Sequence, residues 1–337
     1  MTRRRLATGL IAILALVLGT LALDAVSPMA AALQLPDGLQ NFLTVFLGIF
    51  IEAAPFLLFG SLASGLIAVF VSADDIAAVF PRGRLLATVA GALLGIVFPV
   101  CECGVVPVVR RLSQKGLPIS AGVAFLLAAP VINPVVIAST YAAFGFSPIF
   151  WARIGFTLVV AVAVGMVIGT PTPLVRVLRP RTLGPVLGGA PTPAAPKSAG
   201  LGMRLQSALT IAADDFFDVG RYLVVGSLLA SALQTFVPQA ALVAVGRDGV
   251  TSVLALQILA YVLSVCSTVD AFLALSFVNT FTAGSIVAFL IFGPMVDIKS
   301  TLMFLGLFRG RVVAYLLALT FLMALLIGVF VNFNLAW

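Results

Sequence analysis

Apolar residues run through this 337-residue chain in long blocks, which short polar or Pro- and Gly-rich stretches separate. Blocks of about 20 apolar residues are typical of membrane-spanning helices. They are far longer than the alternating segments of an outer-membrane barrel. We therefore predict an all-α polytopic membrane protein. The predicted membrane segments are residues 6–26, 42–71, 85–109, 118–142, 149–170, 216–238, 251–281, 286–306 and 312–335.

The predicted segments fall into four regions. The longest linker is rich in Pro, Gly and Ala, which predicts a flexible connection. The regions are an N-terminal transmembrane helix with an outer loop at 1–40, a first membrane repeat at 41–170, a cytoplasmic linker at 171–204 and a second membrane repeat at 205–337. The basic start at Arg3–Arg5 also fits a signal peptide. Because the apolar run that follows is long for one, we expect an uncleaved first helix.

The composition supports the membrane assignment and narrows the function. Hydrophobic residues make up 62% of the chain and charged residues 9%, whereas soluble domains carry about a quarter charged residues. No soluble stretch is long enough for a catalytic core, and the sequence lacks the phosphate-binding Gly-x-x-x-x-Gly-Lys loop of an ATPase. Three cysteines without a histidine make neither a disulfide framework nor a four-ligand zinc site. We expect no metal, no cofactor and no enzyme activity.

The basic residues predict how the chain is threaded. The net charge is +7, and these residues border apolar segments, which indicates membrane orientation rather than nucleic-acid binding. Arg3–Arg5 place the N-terminus in the cytoplasm. If residues 85–109 crossed the membrane fully, the basic cluster at 110–115 would lie outside. We therefore predict that 85–109 enters from the cytoplasm, breaks at Phe98–Gly104 and returns.

Segment 251–281 is predicted to enter and return in the same way from the outside, with its break at Cys266–Asp270. This threading leaves Arg153 and Arg247 outside the membrane and Lys299 within a span, where we expect it to pair with an acid. Non-helical backbone at membrane depth is tolerated only when it is buried in protein or lines a cavity. The two breaks therefore predict a cavity.

Landmarks recur in the two halves at a nearly constant offset. Cys101 and Cys266 are 165 residues apart, Asn133 and Asp297 are 164 apart, and two Gly-Ser motifs that follow an acid are 166 apart. Because one repeat starts outside and the other inside, the repeats are predicted to be inverted, as in many secondary transporters. Each would hold a re-entrant hairpin and a Pro-broken helix. The predicted break residues are Pro99, Gly104, Pro107, Pro130, Pro134, Gly293 and Pro294.

All three cysteines lie in two polar, helix-breaking patches, Phe98–Pro107 and Ser264–Phe272, and each patch adds an acid. Thiolates are soft ligands, suited to thiophilic ions such as trivalent arsenic. An idle acid near the bilayer centre costs about 2.5–3.5 kcal/mol. The predicted substrate-binding residues are Cys101, Glu102, Cys103, Asn133, Cys266, Asp270 and Asp297. The residues considered for ion coupling are Glu52, Glu102 and Asp270.

Structural roles for these residues stay open. Buried cysteines can pack as small hydrophobic residues, and the acids of the two patches can cap broken helices. For Asn133 and Asp297, capping and ligand contact are compatible. Glu52 and Asp218 are predicted to precede or open helices, and Asp218 is expected to favour a helix N-terminus or to pair with Arg221.

Four strings carry a family resemblance: Phe98–Pro107, Ala129–Pro134, Cys266–Phe272 and Gly293–Asp297. They resemble the predicted permease family that includes the bacterial organoarsenical efflux permeases, over about residues 40–335. The resemblance implies a bacterial inner-membrane permease, and trivalent organoarsenical efflux is the named activity in that family. The chain departs from the commoner pattern at Thr268, where an acid is expected, and this departure bears on the coupling and the substrate.

The sequence thus predicts a secondary transporter, with its N-terminus in the cytoplasm, that exports a small thiophilic or anionic solute. Its expected partners are the lipid bilayer and a small-molecule or ion substrate, with a homo-oligomer or a partner subunit also possible and no nucleic acid. Three alternatives stay open. They are a channel, a membrane subunit of a multi-component permease and an intramembrane thiol oxidoreductase.

Overall fold

The regular elements of the described residues are all α-helices. A computed structural model of the chain describes residues 36–81, 83–98, 100–169, 177–178, 200–236 and 249–334. The helices are α1 (Asp37–Phe70), α2 (Ala73–Val79), α3 (Arg84–Val97), α4 (Glu102–Gln114), α5 (Ile119–Ile132), α6 (Pro134–Phe144), α7 (Pro148–Ile168), α8 (Leu201–Phe236), α9 (Thr251–Leu263), α10 (Asp270–Leu275), α11 (Ala283–Met295), α12 (Ile298–Leu307) and α13 (Gly310–Asn334). The predicted helix at 6–26 and most of the predicted linker at 171–204 lie outside the described residues.

Several helices are long and apolar enough to cross a membrane. Within the described residues there are five such stretches, or seven when each bent helix pair counts as one span. Large apolar side chains are exposed along the outer helices, as lipid contact requires. These findings confirm the prediction of an all-α polytopic membrane protein.

Two broken helices form the core of the bundle. Nearly every residue of α5 is buried, and so is nearly every residue of α11. Each is apolar on all sides, which is typical of a helix that other helices surround. The interruptions at their C-terminal ends therefore lie inside the protein.

The chain reverses direction between α3 and α4. Gly91 of α3 packs on Ala121 and Gly95 packs on Ala129, so α3 runs parallel to α5. In contrast, α4 runs antiparallel to α5, because the Asn133 side chain at the end of α5 donates a hydrogen bond to the Val100 carbonyl at the start of α4 (3.4 Å). With 14 and 13 residues, α3 and α4 are each only about 20 Å long, shorter than the roughly 30 Å hydrocarbon core.

The second half packs in the same way. The Ser252 and Ser285 hydroxyls are 2.6 Å apart and Ala260 contacts Gly293, so α9 runs parallel to α11 as α3 does to α5. Helix α8 takes the place of α1 in the second half. Helices α9, α10, α11, α12 and α13 then follow it, as α3, α4, α5, α6 and α7 follow in the first half. The two repeats and their inverted relation across a membrane stay predictions.

Helix α8 begins well before the predicted membrane segment. The segment was expected at 216–238, but the helix starts at Leu201. The first half of α8 is more polar than a membrane segment usually is. Asp215 in this half is nevertheless 1% exposed, because two arginines of α4 pair with it. Glu52 and Asp218 accordingly lie in the middle of α1 and α8 rather than at helix starts.

Five of the predicted break residues lie inside helices. These are Gly104 and Pro107 in α4, Pro130 in α5, and Gly293 and Pro294 in α11. A proline removes one backbone hydrogen bond of a helix without necessarily ending the helix. The helices that hold Pro130 and Pro294 do end within the next two residues. Gly104 instead permits close packing, because a Cβ on Gly104 would come within 2.7 Å of the Phe56 carbonyl oxygen of α1. Pro134 is the first residue of α6, and Pro99 lies outside the described residues.

Candidate functional site

The first thiol pair lies at the N-terminus of α4. Cys101 is the residue before the helix, and Glu102 and Cys103 are its first two helical residues. All three are at most 4% exposed. The start of a helix presents unpaired N–H groups and partial positive charge, which stabilise an anionic group bound there.

The third thiol lies in the break between α9 and α10. Ser264 ends α9 in the left-handed conformation, with φ of 47°, which is costly for a residue with a side chain. This backbone turns the chain into the segment that holds Cys266, which is 4% exposed. Thr268, the residue at which the chain departs from the family pattern, contacts the Cys266 sulfur (3.6 Å).

Lys299 of α12 connects the two breaks. Its Nζ lies 3.1 Å from Glu102 Oε1 and 3.0 Å from Asp297 Oδ2, and it donates a 2.6 Å hydrogen bond to the Ser264 carbonyl. The lysine is 2% exposed. Its backbone is held close to α8, because a Cβ on Gly226 would come within 2.8 Å of the Lys299 Cα. The expected pairing of Lys299 with an acid is confirmed, and two acids share it.

These groups surround one small cavity. Its volume is about 10 Å³, close to the smallest that holds a water molecule. It is lined by Ile49, Glu52, Ala53, Cys101, Glu102, Cys103, Cys266 and Lys299. Within the described residues Glu102 Oε2 is buried without a hydrogen-bond partner. Three thiols from two distant parts of the chain therefore meet a carboxylate and an ammonium in one enclosed place, which we call the thiol cluster.

Asn133 and Asp297 cap the two helices that follow the breaks in the core. Asn133 Oδ1 accepts a 2.9 Å bond from the Val136 amide at the start of α6. Asp297 Oδ1 accepts a 2.6 Å bond from the Ser300 amide at the start of α12. Capping, one of the two open alternatives, is therefore present at both. Asp297 additionally reaches the thiol cluster through Lys299, whereas Asn133 donates to the Val100 carbonyl beside Cys101 and to the Ala129 carbonyl.

Asp270 lies in a second polar group beside the thiol cluster. Its Oδ2 accepts a 2.7 Å charged hydrogen bond from Arg153 of α7, which also donates to the Thr140 hydroxyl of α6 (2.9 Å). Arg153 was expected outside the membrane, but it is 1% exposed and lies inside the bundle. Arg153 can lie there because it pairs with Asp270, since a buried arginine without an anion would be strongly unfavourable.

A third polar group joins α4 to α8. Arg111 binds Asp215 with two bonds of 2.8 and 3.0 Å, the fork geometry that makes such pairs strong. Arg110 contacts Asp218 at 2.6 Å, and Ser64 of α1 donates a 2.6 Å bond to Asp215. Asp218 also pairs with Arg221, which is one of the two roles that the sequence predicts for it.

The arrangement suits a soft, weakly charged ligand better than a permanently bound metal. No three His, Cys, Asp or Glu side chains of the described residues are placed to hold a metal ion. A larger cavity of about 500 Å³ between α9, α11 and α13 has an almost wholly apolar lining, so it offers nothing to orient a polar solute. The chemistry of the described chain is concentrated in the thiol cluster.

Sequence reasoning missed the partners of the buried arginines. Neither Arg153 nor Asp215 was a candidate site residue, and their ion-pair partners lie more than 100 residues away along the chain. One signal for these residues was available in the sequence, namely a charged side chain beside long apolar stretches. Such charges are rare inside the membrane and are almost always paired there.

Comparison with known proteins agrees with this architecture. The chain is 45% identical to the UPF0718 protein YcgR of Bacillus subtilis over 276 residues, covering 81% of this chain and 91% of that protein. It is 35% identical over 289 residues to a protein of Streptococcus mutans provisionally named two-component membrane permease complex subunit, covering 84% of this chain and 92% of the relative. No solved structure matches significantly. The ArsP_1 family model, described as predicted permease, matches residues 38–333, and the chain belongs to this permease family.

Proposed function

We propose that the protein is a secondary transporter of the bacterial inner membrane that exports a small thiophilic solute such as a trivalent organoarsenical. The observation that carries the proposal is the thiol cluster, in which Cys101 and Cys103 of one half meet Cys266 of the other. Membership of a permease family supports a transporter rather than an enzyme. The N-terminus is proposed to face the cytoplasm, as the basic residues predict.

The thiols supply the binding chemistry of the proposal. A trivalent arsenic oxide R–As=O reacts with two thiols to give R–As(S–)₂ and one water. Two As–S bonds replace the As=O bond, the two thiol protons leave in the water, and no atom is oxidised or reduced. The exchange is reversible, so a carrier can release its ligand to other thiols or to water. Asp297 and Lys299 fix Glu102 beside the sulfur atoms, and Glu52 lines the same cavity.

Transport into everted membrane vesicles tests the proposal. Vesicles that hold the protein should accumulate phenylarsine oxide, because their interior corresponds to the cell exterior. Cys101→Ser and Cys266→Ser should each reduce the initial rate at least about tenfold, since oxygen is a harder ligand for arsenic. Ser267→Ala is the matched control: this buried residue adjoins Cys266 but does not line the cavity. Full activity in both cysteine variants would contradict the assignment.

A carrier and a channel differ in counterflow. A carrier should show saturable uptake and accelerated exchange when vesicles are preloaded with unlabelled arsenical. Linear flux without exchange would favour the channel instead.

A second candidate function is a membrane subunit that acts with another protein. The S. mutans relative, 35% identical, is provisionally named as a subunit of a two-component permease complex. Proteoliposomes distinguish the candidates. Transport by the purified chain alone supports a self-sufficient carrier, whereas transport that requires a second membrane protein that co-purifies with the chain supports the subunit.

A further inference from the structure

Ion pairs connect the two halves of the chain at several points. Within the described residues, at least five ion pairs join the 44–169 half to the 200–334 half. One of these is the Lys299–Glu102 pair of the thiol cluster. The other four form two separate groups, one around Arg110 and Arg111 and one at Arg153. The contacts between the halves therefore include charged pairs as well as apolar packing.

The Arg110–Arg111 group lies to one side of the thiol cluster. Arg110 is eight residues beyond Glu102 along α4, which is about 12 Å at 1.5 Å per residue. Its partners, Asp215 and Asp218, belong to α8. In the predicted threading this is the cytoplasmic side.

The Arg153 group lies to the other side. Thr140, which Arg153 contacts, is seven residues beyond Asn133 along α6, about 10 Å from the level of the cluster. Because α4 runs antiparallel to α5, and α6 continues α5 with a bend of 40°, α4 and α6 leave that level in opposite directions. Asp270 is held near Cys266, since its amide donates to the Cys266 carbonyl (3.1 Å). The Arg153–Asp270 pair thus adjoins the cluster on the side away from Arg110.

We propose that these two groups are gates: Arg153–Asp270 closes the thiol cluster toward the outside, and Arg110 and Arg111 with Asp215 and Asp218 close it toward the cytoplasm. Each gate joins the two halves, so separation of the halves on one side breaks one gate and spares the other. Both gates are closed here, and the cavity between them is small. Asp270 then acts as a gate residue rather than as a substrate ligand. The inference rests on the proposed function as a secondary transporter, whose binding site opens to one side of the membrane at a time.

Labelling of the native cysteines tests the gates without any substrate. All three cysteines of the chain lie in the thiol cluster, so a membrane-impermeant maleimide reports access to it. Spheroplasts expose the outer face and everted vesicles expose the cytoplasmic face. Asp270→Asn should raise the labelling rate about tenfold or more from the outside only, and Asp215→Asn should do so from the cytoplasmic side only.

Two further variants keep the test decisive. Arg221→Gln is the matched control, because Arg221 pairs with Asp218 within α8 and is 46% exposed; its labelling should equal wild type on both sides. If Asp270→Asn misfolds because Arg153 is left unpaired, the double variant Arg153→Met with Asp270→Asn removes both charges and should show the same outward access.

Labelling that changes on neither side, or that rises equally on both sides in either gate variant, would overturn the proposal. This readout is independent of arsenical transport. Failure of the gates and failure of the proposed substrate are therefore distinguishable.

Discussion

Lys299→Met removes the positive charge that lies between Glu102 and Asp297. The variant loses contacts of 3.1 and 3.0 Å to the two carboxylates and a 2.6 Å bond to the Ser264 carbonyl. Methionine fills a similar volume, so the change is mainly electrostatic. Removing one partner of a buried ion pair costs about 3–5 kcal/mol, because it leaves an uncompensated charge. We expect the free energy of unfolding to fall by that amount.

A double-mutant cycle separates charge from packing. Glu102→Gln alone should cost less, about 1–3 kcal/mol, because Lys299 keeps Asp297 and the Ser264 carbonyl. In the double variant Glu102→Gln with Lys299→Met, the Glu102 charge is no longer left unpaired. Its loss should fall short of the sum of the single losses by about 1–3 kcal/mol.

The assay is reversible unfolding in detergent micelles, followed by far-UV circular dichroism. Lys115→Met is the matched control, because this half-buried lysine donates to backbone carbonyls that include Ala68 (2.8 Å); it should cost about 1 kcal/mol. The reasoning is refuted if Lys299→Met loses no more than Lys115→Met. Additive single losses would refute the coupling between Lys299 and Glu102.

Two further predictions concern α1. Gly60→Ala should lower the unfolding free energy by about 1–3 kcal/mol, since the added Cβ would overlap the backbone of α4. The control is Gly155→Ala in α7, which has open space around it and should be neutral or stabilising by up to about 1 kcal/mol. Equal Tm shifts in the two variants would contradict this prediction. Ser64→Ala should cost about 1.5–3 kcal/mol because Asp215 loses a 2.6 Å bond. Ser61→Ala should cost clearly less, because within the described residues its buried hydroxyl has no partner.

Local patterns in the sequence predicted where the chain breaks. The break between Val97 and Glu102 and the break between Leu263 and Asp270 both fall within or beside the polar patches that hold the cysteines. Such signals are local, because polar and helix-breaking residues interrupt an apolar block. For the same reason, the bounds of the predicted segments that fall in the described residues, α8 apart, are close to those observed.

Partners across the fold could not be predicted in this way. The rule that orients basic residues counts them by position along the chain, so it could not show that Arg153 pairs with Asp270, 117 residues away. The membrane segment of α8 was predicted to begin only at residue 216 for the same reason, since Asp215 is stabilised by Arg111 of α4. Gly104 was read as a break because its role depends on the approach of a distant helix, α1.

Binding of phenylarsine oxide to the purified protein, measured by how many thiols it protects from alkylation, tests the central claim most directly. We expect one molecule bound per chain and two cysteines protected. The affinity should be at least about tenfold lower in Cys266→Ser, because the site needs sulfur from both halves. Unchanged affinity in Cys266→Ser, or no thiol protection in the wild-type protein, would contradict a site that the two halves share.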